Sequence, residues 1–297
     1  MKILNYYKYL FALSGIILIF GVLSLAIFGL RFGIDFKGGI VTEIEFQQDF
    51  NQNDVKTVIS EEGIKNFQLQ STGTRGLIIR TENLNKADYD KVTTNIRAKV
   101  GDFTEKKFDS IGPVIGQELK QKAIYQLILV SIGIILYIAY AFRKVARPLT
   151  PLQFGVAAII ALIHDLLIVI GIFSLLGHFY GIEIDSLFVT AMLTVLGFSV
   201  HDTIIVFDRI RENLKVYAGQ PLDFIVNHSI SQTLVRSLNT SLTVLFVLLA
   251  MLLFGGETIR YFVLALFIGI AAGTYSSIFV ASPILVLWQN WSNRKRK

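Results

Sequence analysis

Asp165, Asp202 and Arg236 are the residues of this 297-residue chain whose types and positions could do chemistry. Each interrupts a stretch of apolar residues long enough to cross a bilayer, which takes about 20 residues as a helix. An aspartate at the centre of such a helix costs about 2.5–3.5 kcal/mol on insertion scales, so it usually faces a bundle interior or wet cavity and marks an ion or proton path. Asp202 and Arg236 fall at similar depth on consecutive apolar segments and could meet. That pair would be neutral when ionised, and protonating Asp202 would leave Arg236 uncompensated in a low dielectric. Two readings follow: an ion pair that holds helices together, or a proton-sensitive switch that moves them. Asp165 has no evident partner, so both readings apply to it as well.

The neighbours of these residues are candidates for supporting a relay. His164 and His201 each immediately precede an aspartate. Adjacent helical residues point about 100° apart, so neither His-Asp pair is expected to close a tight site alone. A metal site shared by two histidines and two aspartates lacks Cys, Glu or outer-shell support, and no metal is expected. Gln232, Arg236, Asn239 or Thr240, and Thr243 recur at helical spacing as one polar stripe on an apolar segment.

Four uncharged runs define the elements that must position these groups: Tyr9–Leu30, Ala123–Phe142, Ser237–Gly256 and Tyr261–Asn293. With the two Asp-bearing segments they predict six spans, near Tyr9–Leu30 and near residues 123–142, 152–177, 186–207, 230–254 and 261–288. Hydrophobic residues make up 53% and charged residues 17% of the chain, against usual values of about 45–50% and about 25%. The composition excludes a disordered or collagen-like chain. The absence of cysteine excludes disulfides, thiolate nucleophiles and Cys zinc sites. The first apolar run exceeds the about 7–15 residues of a signal-peptide core and reads as a retained anchor. With the N-terminus cytoplasmic, thirteen Lys and Arg fall in cytoplasmic segments, while Arg260 alone falls in the two short outside loops. The bias of basic residues toward cytoplasmic loops therefore places both termini inside. The basic tail, residues 291–297, reads as a topology determinant beside anionic membrane lipid, not a nucleic-acid patch.

Residues 31–122 form the one large outside segment, with 14 basic and 14 acidic residues, which argues against a nucleic-acid partner. Strands are expected over Ile40–Gln47, Phe67–Gln70, Leu77–Thr81 and Thr104–Ile111. Helices are expected from Asn51 or Asn53 to a stop at Gly63, and from Asn85 to a stop at Gly101. The order βαββαβ is ferredoxin-like. Gly33, Asp35, Gly38 and Gly39 lie where the first span opens into this domain, as a tight turn or hinge. Gly269 and Gly273 in the last span read as a helix-packing pair. No phosphate-binding loop, zinc-protease motif or serine-hydrolase elbow is present, so no enzyme is expected.

The run from Gly197 to Asn213, Gly-Phe-Ser-Val-His-Asp-Thr-Ile-Ile-Val-Phe-Asp-Arg-Ile-Arg-Glu-Asn, closely resembles the signature of the SecF family, within the SecD/SecF group of the RND superfamily. Arg236-Ser-Leu-Asn-Thr-Ser241, Ala161-Leu-Ile-His-Asp165 and Gly33-Ile-Asp-Phe-Lys-Gly-Gly39 resemble further family segments. His201 departs from the pattern, where Asn is expected. The resemblance implies a subunit of the bacterial cytoplasmic (inner) membrane that pairs with SecD beside the SecYEG channel. It implies YajC as a further candidate contact, and use of the proton gradient to draw an unfolded preprotein outward. It places Asp202 and Arg236 on the family's proton-relay positions, with protons as coupling ion and no cofactor. Asp208 and Arg209 are expected to organise the cytoplasmic end of the fourth span. Two other classes are an RND-like exporter, disfavoured by the missing second outside loop, and a passive scaffold.

Overall fold

The computed structural model describes residues 7–64, 67–82, 84 and 86–294; Lys2, the expected cap Asn85 and the basic residues 295–297 lie outside them. The chain divides into two compact units, one of Phe32–Tyr125 and one of Met1–Arg31 with Gln126–Lys297. In chain order the elements are α1 (Tyr7–Phe28), a single turn α2 (Ile34–Lys37), β1 (Gly39–Phe46), α3 (Gln52–Glu61), β2 (Phe67–Thr72), β3 (Gly76–Thr81), α4 (Lys86–Lys99) and β4 (Phe103–Ile111). Then come α5 (Pro113–Ala141), α6 (Pro151–Tyr180), α7 (Ser186–Val216), α8 (Leu222–Phe254), α9 (Glu257–Ser276), a π-helical turn (Ser277–Ala281) and α10 (Ser282–Arg294).

The Phe32–Tyr125 unit carries the ferredoxin-like arrangement. Its antiparallel sheet has the order β2-β3-β1-β4, which places β1 between β3 and β4, with Ile44 opposite Leu77 and Glu105. The period of two sends Ile44, Phe46, Leu77, Ile79 and Phe103 to one face, against Val55 and Ile59 of α3 and Val92 and Ile96 of α4. Each such side chain contributes about 1.5–3 kcal/mol on full burial. Asn51 caps α3 by accepting from the Asn53 amide (3.0 Å), and Gly63 and Gly101 follow the two helices with positive φ.

The domain-opening glycines are structural. Gly39 has φ +143°, and a Cβ on it would lie 2.2 Å from the Thr81 carbonyl oxygen. Gly38 has φ +81°, and its Cβ would lie 2.7 Å from the Pro113 backbone. Gly33 caps α2, whose first turn holds Asp35, and Lys37 of α2 pairs with Glu82 at 2.6 Å.

The other unit is a bundle of six helices long and apolar enough to cross a membrane: α1, α5, α6, α7, α8, and the continuous run Thr258–Ser292 of α9 to α10. Within their most apolar windows, burial reaches 56% in α6, 50% in α7 and 67% in the last span, against 17%, 6% and 17% in α1, α5 and α8. The inner trio is thus α6, α7 and α9–α10. Three helices run beyond the expected spans: α5 starts at Pro113, α7 continues to Val216 and α8 starts at Leu222. Uncharged length marks only the membrane-compatible part of a helix. The extensions are held by pairs such as Glu118–Lys122 (2.7 Å) and Asp208–Arg211 (2.5 Å).

Close backbone approach sutures α1 to α6. A Cβ on Gly171 would meet the Gly21 Cα at 2.4 Å. Nearby, Ser24 donates to Ser174 (3.0 Å), Ser174 donates to the Gly29 carbonyl (2.7 Å), and the Ile184 amide donates to the Arg31 carbonyl (2.8 Å). Gly269 has the same role between α9 and α7, where its Cβ would collide with Val195 at 2.2 Å.

Two outcomes are expected. Gly39→Ala combines a left-handed φ with a backbone clash and should destabilise the domain by about 3 kcal/mol, read as lost protease resistance in the full chain. Tyr89 is buried, donates to Glu105 (2.6 Å) and lies 2.9 Å from Thr42 Oγ1. Burial first, then the Glu105 bond, raises its pKa above the ordinary phenol value. A raised folded value means that the stabilisation is complete below the unfolded pKa of about 10 and is lost as pH rises beyond it. Protease resistance between β1 and β4 should therefore fall above about pH 10, and Tyr89→Phe should flatten that alkaline limb.

Candidate functional site in the helix bundle

Helix α7 starts on Asp185, whose Oδ1 accepts from the Phe188 amide (2.8 Å). Its inward face then carries Val195, Ser199, Asp202, Thr203 and Val206. Asp202 is fully buried. Its Oδ2 accepts from Ser241 of α8 (3.2 Å), and Ser241 accepts from Thr274 of α9 (2.7 Å). Among the described residues its Oδ1 finds no hydrogen-bond partner, and neither does the buried Ser237 hydroxyl, one turn before Ser241. An unserved buried polar group costs about 1–3 kcal/mol, and more when charged. Asp202 is therefore a carboxyl with one oxygen held and the other without a hydrogen bond among the described residues.

The approach of Arg236 to Asp202 is not made. Arg236 lies on the exposed side of α8, with Gln232, Asn239, Thr240 and Thr243. The face that packs inward carries Ser229, Thr233, Ser237 and Ser241 instead. Both stripes have helical spacing, and size decides between them. Serine and threonine let helices approach closely, and their hydroxyls bond back to their own helix, as Ser229 does to the Ile225 carbonyl (2.7 Å) and Thr233 to the Ser229 carbonyl (3.1 Å). A guanidinium on that face would force the helices apart. The small-residue repeat at every fourth position from Ser229 was the readable signal for the serine that reaches Asp202. Thr240 bonds along its own helix, to the Arg236 carbonyl (2.9 Å). His201 is exposed, on another side of α7 from Asp202.

A second buried cluster forms around α6. His164 and Asp165 are 3% and 1% exposed. His164 Nδ1 lies 2.9 Å from Asp165 Oδ1, so this His-Asp pair does close, contrary to the expectation from its 100° separation. Both side chains are long enough to lean together across one helical step. Asp165 Oδ2 accepts from Ser199 of α7 (2.5 Å) and Ser276 of α9 (2.8 Å). His164 Nε2 lies 3.1 Å from Ser14 of α1, and its ring stacks near Tyr275. Ser14, Ser199, Ser276 and Tyr275 were not among the expected site residues; nothing in their spacing singles them out. Gly273 makes room for the cluster, since a Cβ there would sit 3.0 Å from Ser199 Cβ and 3.5 Å from Asp165 Oδ2. The two-His, two-Asp set is not assembled, and no group of three or more His, Cys, Asp or Glu with metal-binding geometry occurs among the described residues.

At the far end of α7, Arg209 donates to Gln232 of α8 (2.6 Å) and pairs with Glu212 (2.6 Å). Asn213 donates to Ser229 and Gln232 (both 2.8 Å). Arg211 reaches the Ala141 carbonyl of α5 (3.3 Å) and pairs with Asp208. This polar corner ties α5, α7 and α8 together.

Comparison with known proteins places this geometry. A family model for the protein export membrane protein SecD/SecF, C-terminal, matches residues 91–291, and one for the SecD/SecF GG motif matches residues 23–49. The chain is 48% identical over 292 residues to the protein translocase subunit SecF of Thermobaculum terrenum, covering 94% of this chain and 91% of that one. It is 42% identical to the protein translocase subunit SecF of Anaerolinea thermophila over 300 residues, covering 98% of this chain and 96% of that one. The crystal structure of SecDF from Thermus thermophilus, a translocon-associated membrane protein, superposes with a TM-score of 0.84 at 33% identity. That match covers 98% of this chain but 39% of the longer SecDF polypeptide. A buried carboxyl between α7 and α8, six apolar helices and a ferredoxin-like domain opened by paired glycines all fall inside these matches, and the chain belongs to the SecF family of multi-pass protein translocase subunits.

Proposed function

We propose that this chain works with a SecD partner to convert the proton gradient into movement of an unfolded preprotein through the SecYEG channel, with YajC as a further contact. Asp202 takes up and releases the proton. The observation that carries this reading is its environment: a fully buried carboxyl, one oxygen held by Ser241 and the other without a hydrogen bond among the described residues. Changing its charge alters the balance among α7, α8 and α9, which meet at that point. Protons are the coupling ion, and no cofactor or enzymatic step is invoked.

Arg236 completes the relay from the other side of α8. It is exposed halfway along an apolar helix, where an uncompensated cation costs about 2.5–3.5 kcal/mol. A partner chain carrying a carboxylate or water-lined surface relieves that cost. The SecD part of the related SecDF polypeptide is the natural supplier, and Asn239 and Thr240 extend the same face toward it. The reading also places the protein in the bacterial cytoplasmic membrane, with both termini cytoplasmic, the Phe32–Tyr125 unit outside, and the basic ends beside anionic lipid. The contact from Arg211 to Ala141 supports this orientation, because it brings Arg209, Arg211 and Lys215 of α7 to the same end of the bundle as Arg143 and Lys144, which directly follow α5.

The test is export of a secreted reporter in cells depleted of the native subunit and supplied with Asp202→Asn, which keeps shape but cannot ionise. Export should slow at least about 10-fold, equivalent to about 1.4 kcal/mol, with the subunit and its partner at normal membrane levels. Normal export would remove Asp202 from the relay and leave the passive-scaffold reading.

A further inference from the structure

We infer that Ser241 and Thr274 form a reversible hydrogen-bond wire that serves Asp202 in both of its protonation states, so that the junction of α7, α8 and α9 stays closed while a proton comes and goes. The members of the wire stand in line. Asp202 Oδ2 lies 3.2 Å from Ser241 Oγ, Ser241 Oγ lies 2.7 Å from Thr274 Oγ1, and Thr274 Oγ1 lies 2.8 Å from the Ile270 carbonyl oxygen. All three side chains are buried. Each hydroxyl brings one hydrogen, accepts up to two, and turns its hydrogen to suit its surroundings. Two hydroxyl hydrogens are therefore shared among three contacts, and the state of Asp202 settles how.

An ionised Asp202 only accepts. Ser241 then donates to Oδ2, Thr274 donates to Ser241, and the Ile270 carbonyl is left to the backbone of α9. An Asp202 protonated on Oδ2 donates to Ser241 instead. Ser241 turns its hydrogen to Thr274, and Thr274 turns its own to the Ile270 carbonyl, which only accepts. In both states every hydrogen of the wire meets an acceptor. The change takes one new O–H bond on Asp202 and two hydroxyl rotations, with the heavy atoms at the same separations.

The other carboxyl oxygen decides where the proton sits. On Oδ1 its hydrogen finds no acceptor among the described residues, whereas on Oδ2 it meets Ser241. Buried donors without an acceptor are rarer in folded chains than acceptors short of a donor. The far end of the wire is a backbone carbonyl, so the wire orients hydrogens and does not conduct protons through α9. The surrounding groups leave it undisturbed. Asp165 is held by Ser199 and Ser276, His201 is exposed on another side of α7, and Arg236 lies on the exposed side of α8. Ser229, Thr233 and Thr240 spend their hydrogens on carbonyls of α8 itself, whereas Ser241 reaches across to α7 and α9.

Ser241 and Thr274 are thus positioning residues for proton exchange at Asp202. The inference rests on the reading of Asp202 as the group that takes up and releases the proton, and adds how a carboxyl buried in an apolar bundle holds either state. Without the Ser241 hydroxyl, the carboxylate loses its donor and the acid loses its acceptor. Without the Thr274 hydroxyl, Ser241 loses the donor behind it in one state and the acceptor ahead of it in the other.

The test joins infrared spectroscopy of the full chain in lipid vesicles, labelled with 13C-aspartate, to export of a secreted reporter in depleted cells. The carboxylic C=O band that Asp202→Asn removes belongs to protonated Asp202. A carbonyl that accepts a hydrogen bond absorbs at lower frequency than one that does not. With the proton on Oδ2, Ser241 does not donate to the C=O, so Ser241→Ala should not raise the band; an upward shift overturns the wire. Ser241→Ala and Thr274→Val should each slow export about 5-fold at normal membrane levels, and Thr274→Ser should restore the unsubstituted rate. The double variant should be no slower than Ser241→Ala, because a cut at Ser241 already isolates Thr274. Independent defects would multiply to about 25-fold, and that result, or equal export by Thr274→Val and Thr274→Ser, also overturns the proposal. The two Thr274 variants carry the test where Ser241→Ala lowers membrane levels. If Asp202→Asn removes no band at any pH, the relay reading itself fails, an outcome distinct from a band that is present and shifts.

Discussion

Two carboxyl groups inside an apolar bundle dictate much of what surrounds them. Both are buried, so hydroxyls from neighbouring helices serve them, and a serine hydroxyl oxygen lies only two bonds from its Cα. The helices must therefore pack nearly backbone to backbone. Glycine provides that approach at Gly21 against Gly171, at Gly269 against Val195, and at Gly273 against Ser199. The hydroxyl stripe of α8 provides it on the last side. Individual interhelical hydrogen bonds in membranes contribute only about 0.6 kcal/mol on average. Their importance lies in being numerous and in leaving a buried acid no other means of compensation.

The same supply of hydroxyls is distributed unequally. Asp165 receives Ser199, Ser276 and a histidine, whereas Asp202 is held by Ser241, with Thr274 behind it. Helix α9 serves both, with Thr274 on one side and Ser276 on the other, and the π-helical turn begins directly after them. Such turns widen a helix locally and often occur at functional sites. Here the turn lets the last span change its facing side, from the polar centre to the apolar cluster of Ile278, Ala281 and Leu285.

Much of this architecture is legible in the sequence. Long uncharged runs mark spans because a bilayer core tolerates little else, and the βαββαβ unit follows from two Gly-stopped helices between alternating strands. The burial of Asp202 inside the bundle is legible for the same reason. Which side of α8 turns inward is not. Its two polar stripes have equal periodicity, and the choice depends on the volume available against α7 and α9, a property of three helices together. The closure of His164 on Asp165 is hidden similarly. Angular separation along one helix excludes it, but Ser14 and Tyr275, separated from each other by most of the chain, hold the ring in place. Helix ends beyond the membrane are also understated by hydropathy, because charged turns extend α5 and α7 without any apolar signal.

Helix α8 is thus polar on two sides, and the sides differ in kind. The inner side uses short hydroxyls that are largely satisfied by their own helix. The outer side carries Arg236, whose charge cannot be satisfied that way, and among the described residues no carboxylate pairs with it. Around it lie Val235, Leu238, Leu242, Phe246 and Val247, exposed and apolar. Such a surface suits neither lipid alone nor water alone. It suits a second apolar helix bearing a compensating polar group at the same depth. The inner face can hold Asp202 without that helix, but the outer face cannot complete the charge balance of Arg236. The Asp202 carboxyl meets α8 at Ser241 on its inner face, whereas Arg236 leaves the same helix on its exposed face, so the two groups address different surroundings through one helix.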